Sequence, residues 1–315
     1  MLPPERSVVS ALPAAASVRG WHLRARAYVS LTKPRIIELL LVTTVPAMLL
    51  AARGTEISPV HLVWLMAVTL IGGTLAAGSA NAMNCYVDRD IDEIMSRTRR
   101  RPLPAHDVSP TAALIFGLLL GVASVTLLAL VVNQLAAALT LLAIVFYVLV
   151  YTLLLKRSTT QNIVIGGAAG ALPPMIGWAA VTGEVSLVPI VLFLIVFYWT
   201  PPHFWALSIR LVRDYAAAGV PMLPVVRGVE FTNGRILLYT VILVALTVAL
   251  IPIGGMGAIY AVSAIMLGAW FTIECWRLWR RGSATGAIHV YRASITYLAA
   301  LFAAIAVDAL LTIRF

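Results

Sequence analysis

Three side chains that can hold a divalent cation recur at helical spacing near residue 90. Asn84, Asp88 and Asp92 occupy positions i, i+4 and i+8 at the end of an apolar run, and on a continuous helix they would share one face. Two carboxylates one turn apart repel each other unless a cation lies between them. Oxygen ligands that leave coordination positions for water and phosphate oxygens suit Mg²⁺. The spacing therefore predicts a Mg²⁺ site at the mouth of a helix.

An arginine-rich stretch comes directly after these predicted ligands, and it includes Arg97 and Arg101. Guanidinium groups match the geometry of phosphate oxygens. Acids that hold Mg²⁺ beside arginines that hold phosphate predict a diphosphate site, with Asp90 turned away from the shared face toward a nearby arginine. The alternative is a solvated loop of mixed charge that only anchors the membrane topology.

A second polar segment, residues 199–224, contains the same kinds of residue as the first: an acid near a helix end, arginines and a Leu-Pro pair. If the two segments face each other across one cavity, Asp214 supplies a further metal contact. His203 could donate a hydrogen bond, shuttle a proton or bind iron, and the alternative is a satisfied interfacial histidine.

The composition indicates an integral membrane protein. Of 315 residues, 61% are apolar and 11% are charged, and the mean hydropathy is +0.95, against ~45–50% and ~25% in soluble domains. The apolar runs are continuous, which favours spanning helices over a β-barrel. Nine are long enough to span a bilayer, at about 36–52, 61–83, 111–132, 134–155, 162–182, 186–208, 236–254, 256–276 and 293–313.

Basic residues fall almost entirely into alternate loops, and only Arg53 and Arg314 lie on the other side. By the positive-inside rule, the N-terminus and the polar loops are cytoplasmic and the C-terminus faces the opposite side. This explains the net charge of +10 without a nucleic-acid partner. A bacterial inner membrane is the expected location, and an Arg-rich mitochondrial transit peptide is the alternative reading of the first residues.

The chain divides into a cytoplasmic N-terminal tail, residues 1–30, and an intramembrane domain, residues 31–315. Within the domain, Gly166, Gly167, Gly170 and Gly177 of the fifth run are typical of close helix packing.

The motif Asn84-x3-Asp88-x3-Asp92 on this topology resembles the UbiA superfamily of intramembrane prenyltransferases. Longer sequence segments resemble the protoheme IX farnesyltransferase (heme O synthase) branch of this superfamily. These segments are Thr32-Lys-Pro-Arg35, Asn84 through Asp92, Arg101-Pro-Leu, Tyr151 to Lys156-Arg157, Trp199-Thr-Pro-Pro-His203-Phe-Trp205, and Asp214-Tyr through Gly219-Val-Pro-Met-Leu-Pro224.

The resemblance implies an all-α bundle of nine transmembrane helices around a central cavity. It implies farnesyl transfer from farnesyl diphosphate to a vinyl group of heme B, with addition of water. Carried onto this chain, the metal ligands are Asn84, Asp88, Asp92 and Asp214. The implied diphosphate contacts are Lys33, Arg97, Arg101, Lys156 and Arg157, and the heme-side candidates are His203, Trp199, Trp205 and Tyr151.

One departure concerns a second metal. Many members of the superfamily have a second pair of aspartates, whereas here the residue four positions after Asp214 is Ala218. Whether a second Mg²⁺ binds is therefore open.

Other functions stay open at the level of sequence. Within the superfamily, a quinone-pathway polyprenyltransferase would act on an aromatic acid. From other classes, a secondary transporter would share the Pro/Gly-interrupted helices, and a heme-binding subunit would lack catalysis. The expected partners are the two substrates and the lipid bilayer, together with a downstream heme-modifying enzyme or a second copy of the chain.

Overall fold

The computed structural model describes residues 20–282 and 284–312, without the side chains of 35–41 and 284–285. These residues form helices and turns and contain no strand. The helices are α1 Trp21–Leu31, α2 Pro34–Ala51, α3 Pro59–Val87, α4 Arg89–Ile94, α5 Pro110–Val131, α6 Gln134–Val145, a π-helical segment Phe146–Leu155 that continues α6, α7 Asn162–Thr182, α8 Leu187–Arg210, α9 Val212–Ala217, α10 Leu223–Val226, α11 Gly228–Ile253, α12 Ala258–Arg281 and α13 Ala284–Thr312.

The long helices coincide with the nine predicted spans. Eight of them in the described part of the chain are long and apolar enough to cross a membrane. The remaining predicted span is α2, in which Val42–Ala51 is apolar. The protein is therefore an integral membrane protein with the predicted all-α fold.

Short polar residues set several helix starts. Ser58 and Ser109 each precede a proline at the first helical position, and each side chain accepts a hydrogen bond from the backbone three residues later. Asn133 caps α6 in the same way, at 2.8 Å from the amide nitrogen of Ala136. Such caps satisfy amide groups that have no partner within the helix.

In the part of the chain that the structure describes, the nine long helices form a closed ring of contacts. Each packs against the next in chain order, from α2 through α3, α5, α6 with its π segment, α7, α8, α11, α12 and α13, and α13 packs against α2. Further contacts join α2 to α7 and α8 to α13 across the ring. The first and last spanning helices are thus neighbours, and the loops that bear the polar motifs meet at one end of the bundle.

A buried ion pair closes the ring at the other end. Arg53, just after α2, donates to Asp308 of α13 at 2.6 Å, and both side chains are largely buried. Asp308 also accepts from the backbone N–H of Gly257, at 2.9 Å. One carboxylate therefore joins the first spanning helix, the last one and the start of α12.

The glycines of α7 allow close helix packing, as predicted, at three of four positions. A Cβ atom on Gly166 would lie 2.1 Å from Tyr151, one on Gly167 would lie 2.9 Å from Thr200, and one on Gly177 would lie 2.9 Å from Thr44. At Gly170 a Cβ would meet no atom within 4 Å, so the packing interpretation of that glycine was wrong.

The end of the predicted tail, residues 21–30, forms α1 together with Leu31, and this helix lies against the polar end of the bundle. Ala27 and Leu31 are buried with Cys85 of α3 and Leu103, and Trp21 and Leu23 are exposed. Residues 1–19 of the predicted tail lie outside the described residues. The domain boundary at residue 30 stays a prediction.

Candidate active site

Asn84, Asp88 and Asp92 share one buried helical face, as their spacing predicts. The backbone N–H of Asp88 donates to the carbonyl of Asn84 at 2.9 Å, and that of Asp92 to the carbonyl of Asp88 at 2.8 Å. The helical hydrogen-bond pattern thus continues from α3 into α4 through the junction at Asp88. All three side chains are at most 3% exposed, and we call them the oxygen row.

Each member of the oxygen row has a cation as its partner. Lys33 Nζ donates to Asn84 Oδ1 at 2.7 Å, and Lys156 Nζ donates to Asp88 Oδ2. Arg101 Nη1 lies 2.7 and 2.9 Å from the two carboxylate oxygens of Asp92. Such pairing lowers the cost of burying carboxylates. Three of the five predicted diphosphate contacts are therefore in place around the predicted metal ligands.

Asp90 points away from the oxygen row, as predicted, and pairs with Arg157. The two guanidinium nitrogens of Arg157 each donate at 2.7 Å to a different oxygen of Asp90. These hydrogen bonds lower the pKa of Asp90 to about 2. Arg157 Nη2 also lies 3.7 Å from Asp88 Oδ1, so Arg157 links the exposed pair to the buried row.

The π-helical segment brings two side chains to the oxygen row. Its pattern places the N–H of Lys156 on the carbonyl of Tyr151, five residues earlier, at 2.8 Å. Thr152 accepts from Asn84 Nδ2 at 3.2 Å and donates to the carbonyl of Tyr147 at 2.8 Å. Because a wider helical turn changes the direction of the side chains after it, Thr152 and Lys156 both reach α3. Such segments are frequent at functional sites.

The backbone at Lys33 is held in an uncommon conformation. Its φ of 53° lies in the left-handed region, which residues other than glycine seldom adopt. Asn81 Nδ2 donates to the carbonyl of Thr32 at 2.9 Å and fixes the turn between α1 and α2. Burial lowers the pKa of the Lys33 ammonium to about 8. A strongly anionic ligand would therefore stabilise the charged form of this side chain.

The oxygen row fits a divalent cation through one open oxygen. Asp88 Oδ1 is buried and accepts no hydrogen bond from the residues that the structure describes, and the Arg157 guanidinium lies 3.7 Å from it. A buried carboxylate oxygen with no hydrogen-bond donor is costly unless a ligand satisfies it. Within the described residues no three acids, histidines or cysteines are gathered closely enough to hold a metal on their own. A metal here would therefore need oxygens from its ligand or from water, as Mg²⁺ commonly does.

The second polar segment meets the first through Asp214. Ser96 Oγ donates to Asp214 Oδ2 at 2.8 Å, so the loops after α4 and α8 are in contact, as predicted. This contact joins Asp214 to the loop and not to the oxygen row, and its role as a metal ligand stays a prediction. Arg97 is exposed and has no hydrogen bond or ion pair within the described residues, so its guanidinium is available to a ligand.

His203 lies in a cluster of aromatic rings between α8 and α13. Its imidazole stacks on Trp199, with ring centroids 4.3 Å apart, and Tyr291 lies on it at 4.7 Å. Trp205 is not part of this cluster: two residues later on the helix, it makes an edge contact with Tyr239 of α11 at 5.2 Å. The structure thus brings together two of the four heme-side candidates.

Tyr151, the fourth of these candidates, lies closer to the oxygen row. Its ring is 5.2 Å from that of Tyr147 and packs against Gly166 of α7. The next residue, Gly167, packs against Thr200, three residues before His203. Adjacent glycines of α7 therefore contact the π segment and α8 at nearly the same level along the helix.

Two polar contributors were not predicted from the sequence. Thr152 reaches Asn84 only because of the π-helical turns, for which the uniformly apolar run gives no signal. Ser294 binds His203 from a helix ninety-one residues later, and no local spacing connects the two.

Comparison with known proteins places this geometry in a family. A family model described as the UbiA prenyltransferase family matches residues 40–307. The chain is 54% identical over 291 residues to a protoheme IX farnesyltransferase of Parafrankia sp. (strain EAN1pec), covering 91% of each chain. It is 52% identical over 295 residues to one of Clavibacter michiganensis subsp. michiganensis, covering 93% of this chain and 95% of the relative.

Solved structures show the same fold. A structure of digeranylgeranylglyceryl phosphate synthase superposes with a TM-score of 0.75 over 91% of this chain and 98% of the other, at 17% identity. A UbiA homolog from Archaeoglobus fulgidus bound to DMAPP and Mg²⁺ gives a TM-score of 0.62 over 89% of this chain and 99% of the other, at 18% identity.

Proposed function

The chain belongs to the UbiA prenyltransferase family, and on that premise we propose that it transfers a farnesyl group from farnesyl diphosphate to a vinyl group of heme B. Water adds in the same reaction, and the product is heme O. The names of relatives that match over nine-tenths of the chain support the two substrates. The observation that carries the reaction type is the buried oxygen row with a cation on each member.

Asn84, Asp88 and Asp92 would hold a divalent metal, which we infer to be Mg²⁺. The open oxygen of Asp88 supports this assignment. Asp214 supplies a further contact from the neighbouring loop. When bound, Mg²⁺ neutralises charge that develops on the leaving diphosphate.

The cations of the site bind the diphosphate by exchanging partners. Lys33, Lys156 and Arg101 each hold a member of the oxygen row, and the metal would take over those oxygens. The released side chains then turn to phosphate oxygens, joined by Arg97 and Arg157. Positive charge around the leaving group favours breaking of its bond to the farnesyl carbon.

The allylic C–O bond breaks, its electron pair leaves with the diphosphate, and a farnesyl cation remains. The heme vinyl group attacks the cation and forms the new C–C bond, which leaves positive charge on the carbon beside the porphyrin. Water adds at that carbon and loses a proton. A bundle of apolar helices keeps other water away from the cation, and the C15 chain gains burial at about 0.8 kcal/mol per CH₂.

The acceptor side includes Trp199, His203 and Tyr151, at the depth of the adjacent glycines of α7. Trp205 remains a candidate on sequence grounds alone. The protein resides in the cell membrane of a bacterium, with its N-terminus and site loops in the cytoplasm and its C-terminus on the other side. A homo-oligomer and an enzyme that modifies heme O next are further proposed partners.

Transfer is tested with the purified full chain in detergent, supplied with farnesyl diphosphate, heme B and Mg²⁺. Mass spectrometry of the extracted heme should show a gain of one farnesyl group plus one water, and EDTA should abolish the gain. Excess Mg²⁺ should restore it. Unchanged heme with prenylation of an aromatic acid would move the protein to the quinone branch. Absence of transfer to any acceptor would reject the proposal and leave transport to be tested.

A further inference from the structure

The imidazole of His203 contacts two aromatic rings and, at one edge, a hydroxyl group. Trp199 stacks on it at an interplanar angle of 21°, and Tyr291 lies at 4.7 Å between ring centroids. At the edge, His203 Nδ1 lies 2.8 Å from Ser294 Oγ. The ring therefore has little freedom to rotate, and its remaining nitrogen is Nε2.

Ser294 determines which nitrogen carries the proton of the neutral ring. Its hydroxyl lies 2.7 Å from the carbonyl oxygen of Tyr291 as well as 2.8 Å from His203 Nδ1. A hydroxyl has one proton to donate, and a carbonyl oxygen can only accept. If Ser294 donated to Nδ1, its oxygen would face the carbonyl oxygen of Tyr291 with no proton between them. Both contacts are satisfied only when Nδ1–H donates to Ser294 and Ser294 donates to Tyr291.

The backbone of Ser294 is hydrogen-bonded to α8, the helix that also carries His203. Trp199 Nε1 donates to the carbonyl oxygen of Ser294 at 2.7 Å. Ser294 thus receives one hydrogen bond from each of the two stacked rings, one on its carbonyl oxygen and one on its hydroxyl. These hydrogen bonds fix the position of α13 along α8. They therefore also fix the Ser294 hydroxyl next to His203 Nδ1.

Nε2 is left as an unprotonated nitrogen. Within the described residues His203 makes no other hydrogen bond, and its side chain is partly exposed. An imidazole that binds a metal through one nitrogen almost always donates the other N–H to an acceptor, which fixes the tautomer and the ring orientation. The chain from His203 through Ser294 to the Tyr291 carbonyl has that form.

We propose that Ser294 is a positioning residue that holds His203 in the Nδ1–H tautomer and so presents Nε2 to the iron of the heme acceptor. The inference rests on the proposed function, since it takes heme B as the ligand. It assigns to Ser294 a role for which the sequence gives no signal. Binding of the iron would anchor the porphyrin on the α8–α13 side of the bundle.

The test is heme binding by the full chain in detergent, without farnesyl diphosphate, followed by optical titration and by resonance Raman of the ferrous form. The wild-type protein should show an iron–histidine stretching band. His203→Ala should lose the band, and added imidazole should restore a ligated spectrum. Ser294→Ala should shift the band and weaken heme binding about tenfold, the lower end of such effects.

Matched variants separate positioning from loss of structure. Ser294→Thr keeps the hydroxyl and should retain the wild-type band and affinity. Valine has nearly the same shape as threonine but lacks the hydroxyl, so Ser294→Val should behave as Ser294→Ala. Ser208→Ala is the control, because Ser208 is a buried serine of α8 whose hydroxyl donates, among the described residues, to the Trp205 carbonyl alone, at 2.9 Å. It should leave the spectrum unchanged.

Two results would overturn the inference: an iron–histidine band that survives His203→Ala, or a band and affinity in Ser294→Val equal to those of Ser294→Thr. Transfer assays on the same preparations separate this inference from the proposed function. Wild-type protein that forms heme O without an iron–histidine band rejects the ligand role alone. Protein that shows the band and forms no heme O rejects the function alone.

Discussion

At the scale of single residues, Asp88 has the most constrained carboxylate of the site. Its side chain is fully buried, one oxygen has two donors, and the other has none. Asp88→Asn keeps the shape and removes the charge that a divalent cation needs. We expect kcat/KM for farnesyl diphosphate to fall about a thousandfold, since metal stabilisation of the leaving group amounts to several kcal/mol.

The matched control for Asp88→Asn is Glu93→Gln. Glu93 is an exposed acid one residue after Asp92 and lies outside the oxygen row. Its variant should keep wild-type rates in the same mass-spectrometric assay. Normal turnover of Asp88→Asn in folded protein would remove Asp88 from the metal site.

Lys156 tests the proposed exchange of partners. It donates to Asp88 in the structure, and it would turn to the diphosphate when the metal arrives. A hydrogen bond to a charged group contributes about 1.5–3 kcal/mol, so Lys156→Gln should raise KM for farnesyl diphosphate about ten- to hundredfold. KM for heme B should stay unchanged in initial-rate measurements.

Arg99→Gln is the control for Lys156→Gln, because Arg99 is exposed and makes no side-chain contact within the described residues. An equal rise of KM in both variants would indicate a general loss of positive potential. An unchanged KM in Lys156→Gln would show that Lys156 only neutralises Asp88.

At this scale the sequence predicts those features that depend on the local helical period. Asn84, Asp88 and Asp92 share a face because a helix repeats every four residues or so, and the structure agrees. The role of Lys33 is implied by resemblance alone, since its approach to Asn84 depends on a left-handed turn. Ser294 could not be predicted, because its partner lies on another helix and only tertiary packing joins them.

At the scale of elements, α7 sets the spacing between the two halves of the site. Gly166 lies against Tyr151 of the π segment, and Gly167 lies against Thr200 of α8. Gly166→Ala would place a Cβ 2.1 Å from the tyrosine ring. We expect a loss of about 1–3 kcal/mol from overpacking, seen as a lower Tm in detergent and as slower farnesyl transfer.

Gly170→Ala is the matched control on the same helix. A Cβ there meets no atom within 4 Å, and alanine favours a helix over glycine by about 0.5–1 kcal/mol. Its Tm should equal or exceed that of the wild type, with full activity. A similar loss in both variants would mean that helix flexibility, and not contact with Tyr151, determines the stability of this region.

The elements themselves show where prediction from sequence ends. Every long helix overlaps its predicted span, because apolar runs and basic loops determine both, although α11 and α13 begin at Gly228 and Ala284, well before the predicted starts near residues 236 and 293. The change from α6 to the π segment has no such signal, since residues 134–155 are apolar almost throughout. It arises where Thr152 bonds the Tyr147 carbonyl and Asn84.

At the scale of the whole molecule, the ring of helices is closed by Arg53 and Asp308, far along the chain from each other. Removing one partner of a buried ion pair leaves the other unpaired and costs up to about 3–5 kcal/mol. Asp308→Asn should therefore lower the Tm by several degrees. The oxygen row lies at the other end of the bundle, so kcat of the folded fraction should stay near that of the wild type.

Arg277→Gln provides the comparison, because its pair with Glu274 is more exposed than that of Arg53 with Asp308 and surface pairs contribute little. A Tm change within a degree or two is expected for it. If Asp308→Asn were as stable as Arg277→Gln, the closing contact would be dispensable. A double variant with Arg53→Met would measure the coupling between the two partners.

The pairing of each member of the oxygen row with a cation also bears on selectivity inside a cell. When a nucleotide or free phosphate binds without a metal, these cations are already paired with the oxygen row. Breaking those pairs would leave buried carboxylates without a partner. A prenyl diphosphate that brings Mg²⁺ satisfies the carboxylates and the cations together. Discrimination against abundant phosphate esters would then come from the cost of separating existing ion pairs, whatever the shape of the pocket.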